Sequence, residues 1–181
     1  MGGDEPTGTL TLAALAAVLR EHTRPGDALA NYLPRLEDPE LRQYVRGYLT
    51  GSIDLVVRVP GDHGAARFAV LDYKTNWLAA PDESLSAWHH RPAALAAEMQ
   101  RGHYWLQALL YTAALHRYLR WRLPGYDAEH NLAGVLYLFV RGMTGAATPT
   151  VDGSPCGVFG WQPPKPLVVA LSDALDRGLP T

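Results

Sequence analysis

The chain has one cysteine, Cys156, in 181 residues. An internal disulfide and a cysteine-based zinc site are therefore excluded. No apolar run reaches the roughly 18 residues that a membrane-spanning helix needs. The stretch Met1-Gly-Gly-Asp-Glu-Pro-Thr-Gly has no basic flank followed by an apolar segment, so it does not read as a secretory signal, and the cytoplasm is the expected compartment. No glycine-rich phosphate loop ending in Gly-Lys-Thr or Gly-Lys-Ser occurs, so no ATPase motor is expected in this chain. Ser52 and Ser154 have no nucleophile-elbow context. His89, His90, His103 and His116 show no zinc-ligand spacing and read as surface or helix-packing residues. Charge of one sign is also lacking. The net charge of −2 argues against a protein that holds nucleic acid by bulk electrostatics alone.

What is present is the composition of one ordinary domain, 48% apolar and 19% charged. Four arginines, Arg101, Arg117, Arg120 and Arg122, lie between Arg101 and Tyr126 without an acid among them. Such a stripe could track a phosphate backbone or be a solvated helix face. Residues 9–20 read as a helix capped by Thr9 or Thr11, with Leu12, Leu15 and Leu19 on one face. Residues 23–46 read as a linker with short helical turns. Residues 48–59 and 68–71 read as two strands of an antiparallel hairpin, joined at Pro60-Gly-Asp-His-Gly64. Pro92 suits the first turn of a helix over 93–100, and Gly102 separates it from a long helix over 103–123. On that helix Tyr104, Gln107, Tyr111, Leu115 and Tyr118 form one stripe. Residues 132–140 read as a strand buried on both faces, and a last short helix is expected near 166–176.

Chemistry concentrates where polar residues interrupt these strands. Asp54 is expected on the first hairpin strand, with Asp72 and Lys74 ending the second. Residues two apart on a strand share a face, so Asp72 and Lys74 can point into one space that Asp54 also reaches. Paired carboxylates are oxygen ligands suited to Mg²⁺. An ammonium beside them can orient water or neutralise charge growing on a phosphate. An Asp-x-Lys tripeptide by itself is common at strand ends. Trp77 and Trp88 could stack on bases, but a tryptophan after a strand reads first as a core anchor.

The longer blocks are more specific. Gly47-Tyr-Leu-Thr-Gly-Ser-Ile-Asp54 and Leu71-Asp-Tyr-Lys-Thr-Asn-Trp-Leu78 resemble the nuclease domain of the RecB subunit of exodeoxyribonuclease V, in the PD-(D/E)xK nuclease superfamily. The helix Tyr104-Trp-Leu-Gln-Ala-Leu-Leu-Tyr111 and the strand Gly134-Val-Leu-Tyr-Leu-Phe-Val-Arg-Gly142 extend the resemblance. It implies an α/β fold, with a mixed central sheet flanked by helices and a partial restriction-endonuclease-like core. It divides the chain into a helical lead-in and linker at 1–44, a core at 45–142 and a tail with a short helix at 143–181. It implies Mg²⁺, replaceable by Mn²⁺, held by Asp54, Asp72 and the Tyr73 carbonyl, with Lys74 assisting water. Gln107 and Tyr111 would lie near the site and the DNA.

The implied activity is Mg²⁺-dependent DNA cleavage in a RecBCD-type repair and recombination helicase–nuclease. The implied partners are DNA single strands or duplex ends, RecC- and RecD-like subunits and a RecB helicase region. The family also uses an upstream Glu and His. Glu5, Glu21 and His22 stand in no such motif, so the chain reads as beginning inside the family domain. Two rivals remain: a catalytically impaired module that binds DNA ends or a partner, and a metal-dependent phosphatase.

Overall fold

The computed structural model describes residues 10–38, 44–45, 51–61 and 66–177. Thr9, Glu5, the block 47–50 and the turn residues 62–65 therefore lie outside the described residues. In chain order the elements begin with β1 (Leu10–Thr11), α1 (Leu12–His22), α2 (Leu33–Leu36) and β2 (Tyr44–Val45). They continue with β3 (Leu55–Pro60), β4 (Ala66–Lys74), α3 (Pro92–Arg101), α4 (Tyr104–Arg122) and α5 (Ala128–Asn131). The last are β5 (Leu132–Phe139), β6 (Thr150–Val151), β7 (Ser154–Pro155), β8 (Val158–Trp161) and α6 (Lys165–Arg177). The fold is mixed α/β. It divides into a sheet unit, Ile53–Ala108 with His130–Gln162, and a helical unit, Met1–Ser52 with Leu109–Glu129 and Pro163–Thr181.

The sheet unit is built on four strands in the order β3-β4-β5-β8. β3 and β4 form the expected antiparallel hairpin, β4 and β5 are parallel, and β5 and β8 are antiparallel. A parallel pair cannot be closed by a tight turn, and the segment containing α3, α4 and α5 is the crossover. Register partners share a sheet face. One face therefore carries Val70, Asp72 and Lys74 of β4, Val135, Tyr137 and Phe139 of β5, and Phe159 and Trp161 of β8. Trp105, at the start of α4, packs edge-on against Phe159 and Trp161, with ring centres 5.5 and 5.0 Å away.

β5 was expected to be buried on both faces, but Leu136 and Leu138 on its other face are only half-buried. Its register shifts beside Gly134, whose φ of +114° and closeness to the Trp161 carbonyl suit only a residue without a side chain. The stretch after Gly142, expected as a tail, supplies the β6–β7 hairpin and the edge strand β8. A four-residue strand containing a glycine gives too short a pattern to be seen in sequence.

In the helical unit, Thr11 caps α1 by accepting the Ala14 N–H at 3.0 Å. Leu12, Leu15 and Leu19 are all buried, as their spacing predicts. α1 packs against α6, whose Leu167, Val168 and Leu171 are buried. The segment read as a linker contributes more than a connection, because Leu29, Tyr32, Leu33 and Leu36 are buried on its short helical turns. Among the described residues no helix is long and apolar enough to cross a membrane.

Candidate active site

β4 ends in Asp72-Tyr73-Lys74, and strand alternation decides where each side chain goes. Asp72 is 3% exposed, while Tyr73 on the opposite face is half-exposed. Asp54 was expected on the first hairpin strand. It lies instead in the bend one residue before β3. The pairing of Leu55 with Leu71 still sets it opposite Asp72. Released from the ladder, the Asp54 carboxylate turns to the backbone, and its Oδ2 accepts the Tyr73 N–H at 3.0 Å. It thus bonds to the residue between Asp72 and Lys74.

Lys74 is the most constrained of the three, with a side chain only 12% exposed. Its Nζ is 2.6 Å from Asp72 Oδ2 and donates to Gln107 Oε1 at 2.9 Å. The ammonium also lies over the Tyr104 ring, 4.2 Å from its centre, and 5.2 Å from that of Tyr137. Asp72 Oδ2 is thus engaged by the Lys74 ammonium in a buried ion pair. A carboxylate has about four lone-pair sites, so this contact leaves Asp72 further acceptor capacity. The Tyr137 hydroxyl lies 3.2 Å from both Gln107 Oε1 and the Tyr104 carbonyl. Gln107 Oε1 accepts from Lys74, and the one Tyr137 proton is shared between it and the Tyr104 carbonyl, which orients the amide oxygen towards Lys74. Tyr104 and Tyr137 were not foreseen as part of this cluster. The available signal was a hydroxyl inside an apolar strand, since a buried tyrosine O–H needs a partner.

The loop after β4 is tied down by a second polar cluster. Asn76 Nδ2 donates to Glu98 Oε1 at 2.8 Å and lies 3.0 Å from the Tyr104 hydroxyl. Arg101 grips buried Glu98 with two bonds of 2.8 Å, a bidentate fork. His90 Nε2 lies 3.3 Å from the Asn76 carbonyl, and Arg141 Nε donates to the Thr75 carbonyl at 2.8 Å. Gly142 seats this side of the site, because a Cβ there would fall 2.3 Å from His90 Cβ.

Of the other residues singled out, Tyr111 lies one helical turn beyond Gln107 on α4, and its hydroxyl donates to the Ser52 carbonyl. Of the arginine stripe, Arg101 is held by Glu98, and Arg117 is bonded to Ser172 and 3.6 Å from Asp176, whereas Arg120 and Arg122 are exposed, Arg122 lying over the Trp121 ring. Trp77 and Trp88 are not core anchors, as they are 51% and 57% exposed, whereas Trp105 is fully buried. Glu21 and His22 end α1, and His22 Nδ1 lies 3.0 Å from the Val18 carbonyl.

A divalent cation is the cofactor that the resemblance implies. Among the described residues no group of three His, Cys, Asp or Glu side chains could hold a metal. The buried Asp72 carboxylate, with lone pairs beyond the one facing Lys74, and the Asp54 carboxylate in the bend opposite it are oxygen donors of the kind that suits Mg²⁺, which keeps several waters.

No family model matches the chain. Among known proteins it is 50% identical over 181 residues to the RecBCD enzyme subunit RecB of Mycolicibacterium smegmatis, a match covering 99% of this chain and 16% of that protein. The corresponding subunit of Mycobacterium tuberculosis is 50% identical over 170 residues, covering 93% of this chain and 15% of that protein. That of Escherichia coli is 46% identical over 129 residues, covering 71% and 10%. The chain thus spans about a sixth of the length of the M. smegmatis relative. Nearly the whole of it corresponds to one stretch of RecB, and on that correspondence the chain belongs to the RecB family.

Proposed function

We propose that Asp54, Asp72 and Lys74 are the reacting groups of a Mg²⁺-dependent DNA nuclease site of the PD-(D/E)xK kind, serving DNA repair and recombination in a RecBCD-type enzyme. The observation that carries this reading is the state of Lys74: an ammonium almost out of solvent, aimed by Asp72, Gln107 and the Tyr104 ring to the end of the strand. Holding a charge there costs desolvation, which the partners offset. A positive charge so placed is suited to stabilising charge that grows on a phosphate during phosphodiester hydrolysis.

Asp54, Asp72 and the Tyr73 carbonyl would hold Mg²⁺ or Mn²⁺. The ion would supply Lewis acidity to the scissile phosphate and to the attacking water. Asp72 holds the Lys74 ammonium in place, and Gln107 fixes its direction. Gln107 and Tyr111 are proposed to lie on the DNA side. Single strands or duplex ends of DNA are the proposed substrates, with RecC- and RecD-like subunits and a RecB helicase region as partners.

Cleavage of labelled single-stranded DNA by the wild type, Asp72→Asn and Lys74→Ala, in Mg²⁺, Mn²⁺ and EDTA, tests this reading. Metal-dependent cutting is expected, with Lys74→Ala lower in turnover by roughly a hundredfold or more. Isothermal titration with Mg²⁺ should show heats that Asp72→Asn loses. Equal heats and equal cleavage in wild type and variants would remove the site. Binding of metal and DNA without cleavage would favour the DNA-end-binding module.

A further inference from the structure

Beyond Lys74 the sheet unit carries two exposed tryptophan–arginine pairs that the cleavage chemistry does not use. The Arg141 guanidinium lies over the Trp77 ring at 5.9 Å, and that of Arg91 over the Trp88 ring at 4.9 Å. Both rings are more than half exposed, in a unit that buries Trp105 completely. Among the described residues neither arginine has a carboxylate partner. Arg141 donates to the Thr75 carbonyl and Arg91 to that of Trp88, at 2.8 and 3.0 Å. No acid among those residues therefore faces either guanidinium, and a backbone carbonyl helps to hold each in place.

The two pairs are built into one assembly at the end of the sheet where Lys74 lies. β4 and β5 are parallel, and Lys74 and Phe139 are their last register partners. The loops bearing Trp77 and Arg141 consequently leave from the same end of the sheet. Trp88 belongs to the 3-10 turn Ala87–His90. The last residue of that turn, fully buried His90, reaches the Asn76 carbonyl with its ring and packs on Gly142, while its backbone carbonyl accepts the Gly157 N–H at 2.8 Å. Three segments are thus joined through one buried histidine, with both indoles left facing water.

Flat apolar rings with unpaired guanidinium groups are complementary to unpaired bases joined by phosphates. The rings offer stacking surface that accepts any base, and arginine offers both a phosphate contact and a second stacking plane. Duplex DNA hides its base faces and would not use the rings. We propose that Trp77 and Trp88, with Arg141 and Arg91, form a stacking platform for the unpaired bases of single-stranded DNA next to Lys74. The choice of DNA as the strand rests on the nuclease reading. The stacking itself does not.

The test is fluorescence anisotropy of a short labelled oligothymidine, and of an abasic strand of equal length, titrated with the full chain in EDTA so that no cleavage intervenes. The wild type should bind oligothymidine more tightly than the abasic strand. Trp77→Ala and Trp88→Ala should each weaken oligothymidine binding by about five- to a hundredfold, and leave abasic binding unchanged. Trp77→Phe should keep most of the affinity, which separates stacking from any loss of fold. Arg141→Gln should weaken both strands and flatten the salt dependence. Wild-type binding that is absent, or equal for the two strands, would overturn the platform, as would unchanged oligothymidine affinity in both alanine variants. Metal-dependent cleavage is read in a separate assay, so the nuclease proposal and the platform can fail independently.

Discussion

In the helical unit, α1 and α6 meet through leucines, and the buried polar side chains include the hydroxyls of Thr112 and Ser172 and the imidazole of His116. In the sheet unit, Asp72, His90, Glu98 and Asn131 share the interior with Trp105, Tyr137 and Phe139. The first arrangement gains stability from apolar burial with little demand on geometry. The second buries charges and amides, and each must find a partner at a set distance. A unit organised in that way gives up some stability for fixed positions, as expected where function is held.

The largest effect should come from the helical unit. Leu19→Ala, at a fully buried position on α1, should cost about 2–5 kcal/mol in urea unfolding. A loss under about 1 kcal/mol would show that α1 is not core and would blur the contrast between the units.

Gln107→Ala is next. Were Gln107 an exposed helix residue, its removal would change stability by no more than about 0.5 kcal/mol. Because its Oε1 meets both Lys74 Nζ and the Tyr137 hydroxyl, the loss should be about 1–3 kcal/mol, with weaker binding or cleavage of single-stranded DNA. An unchanged melting temperature would show that the sheet unit does not depend on this network.

The smallest effect concerns pH. His116 is buried, its Nδ1 is 2.7 Å from the Tyr126 hydroxyl, and its Nε2 has no hydrogen-bond partner. Burial, and then Arg120 and Arg117, hold its pKa below the ordinary 6.5, against the opposing pull of Asp173. The Tyr126 hydroxyl, pushed up to about 12 by burial and by Asp127, stays protonated across this range. A depressed folded pKa means that the unfolded chain takes the proton first. Stability from this group is therefore full above about pH 6.5 and is lost as the pH falls through the lower folded value. Urea midpoints at pH 7.5 and pH 5.5 should differ in that direction, and His116→Gln should reduce the difference. Parallel profiles for the two proteins would assign the acid sensitivity to another group.

Much of this was legible because it rests on short-range rules. Leucine spacing marked α1, Pro92 and Gly102 bracketed α3, and strand alternation aimed Asp72 and Lys74 to one face. Lys74 stood out as a charged residue ending an apolar strand, two places after Asp72. β8 was not legible, because its four residues gain strand identity only from pairing with β5. Nor was the bend at Asp54, since a residue at the mouth of a hairpin can continue the ladder or leave it at similar cost.

By itself the sequence determined the element types, the hairpin, the acidic pair with its lysine and the RecB resemblance, all properties of neighbours or of contiguous blocks. Only the tertiary structure decided that Tyr137 and Gln107 hold Lys74, that Arg101 is spent on Glu98, and that Trp77 and Trp88 face water while Trp105 does not. Those outcomes depend on which surfaces meet across long separations in the chain. The same indole or guanidinium is core, tether or open surface according to what the fold places beside it.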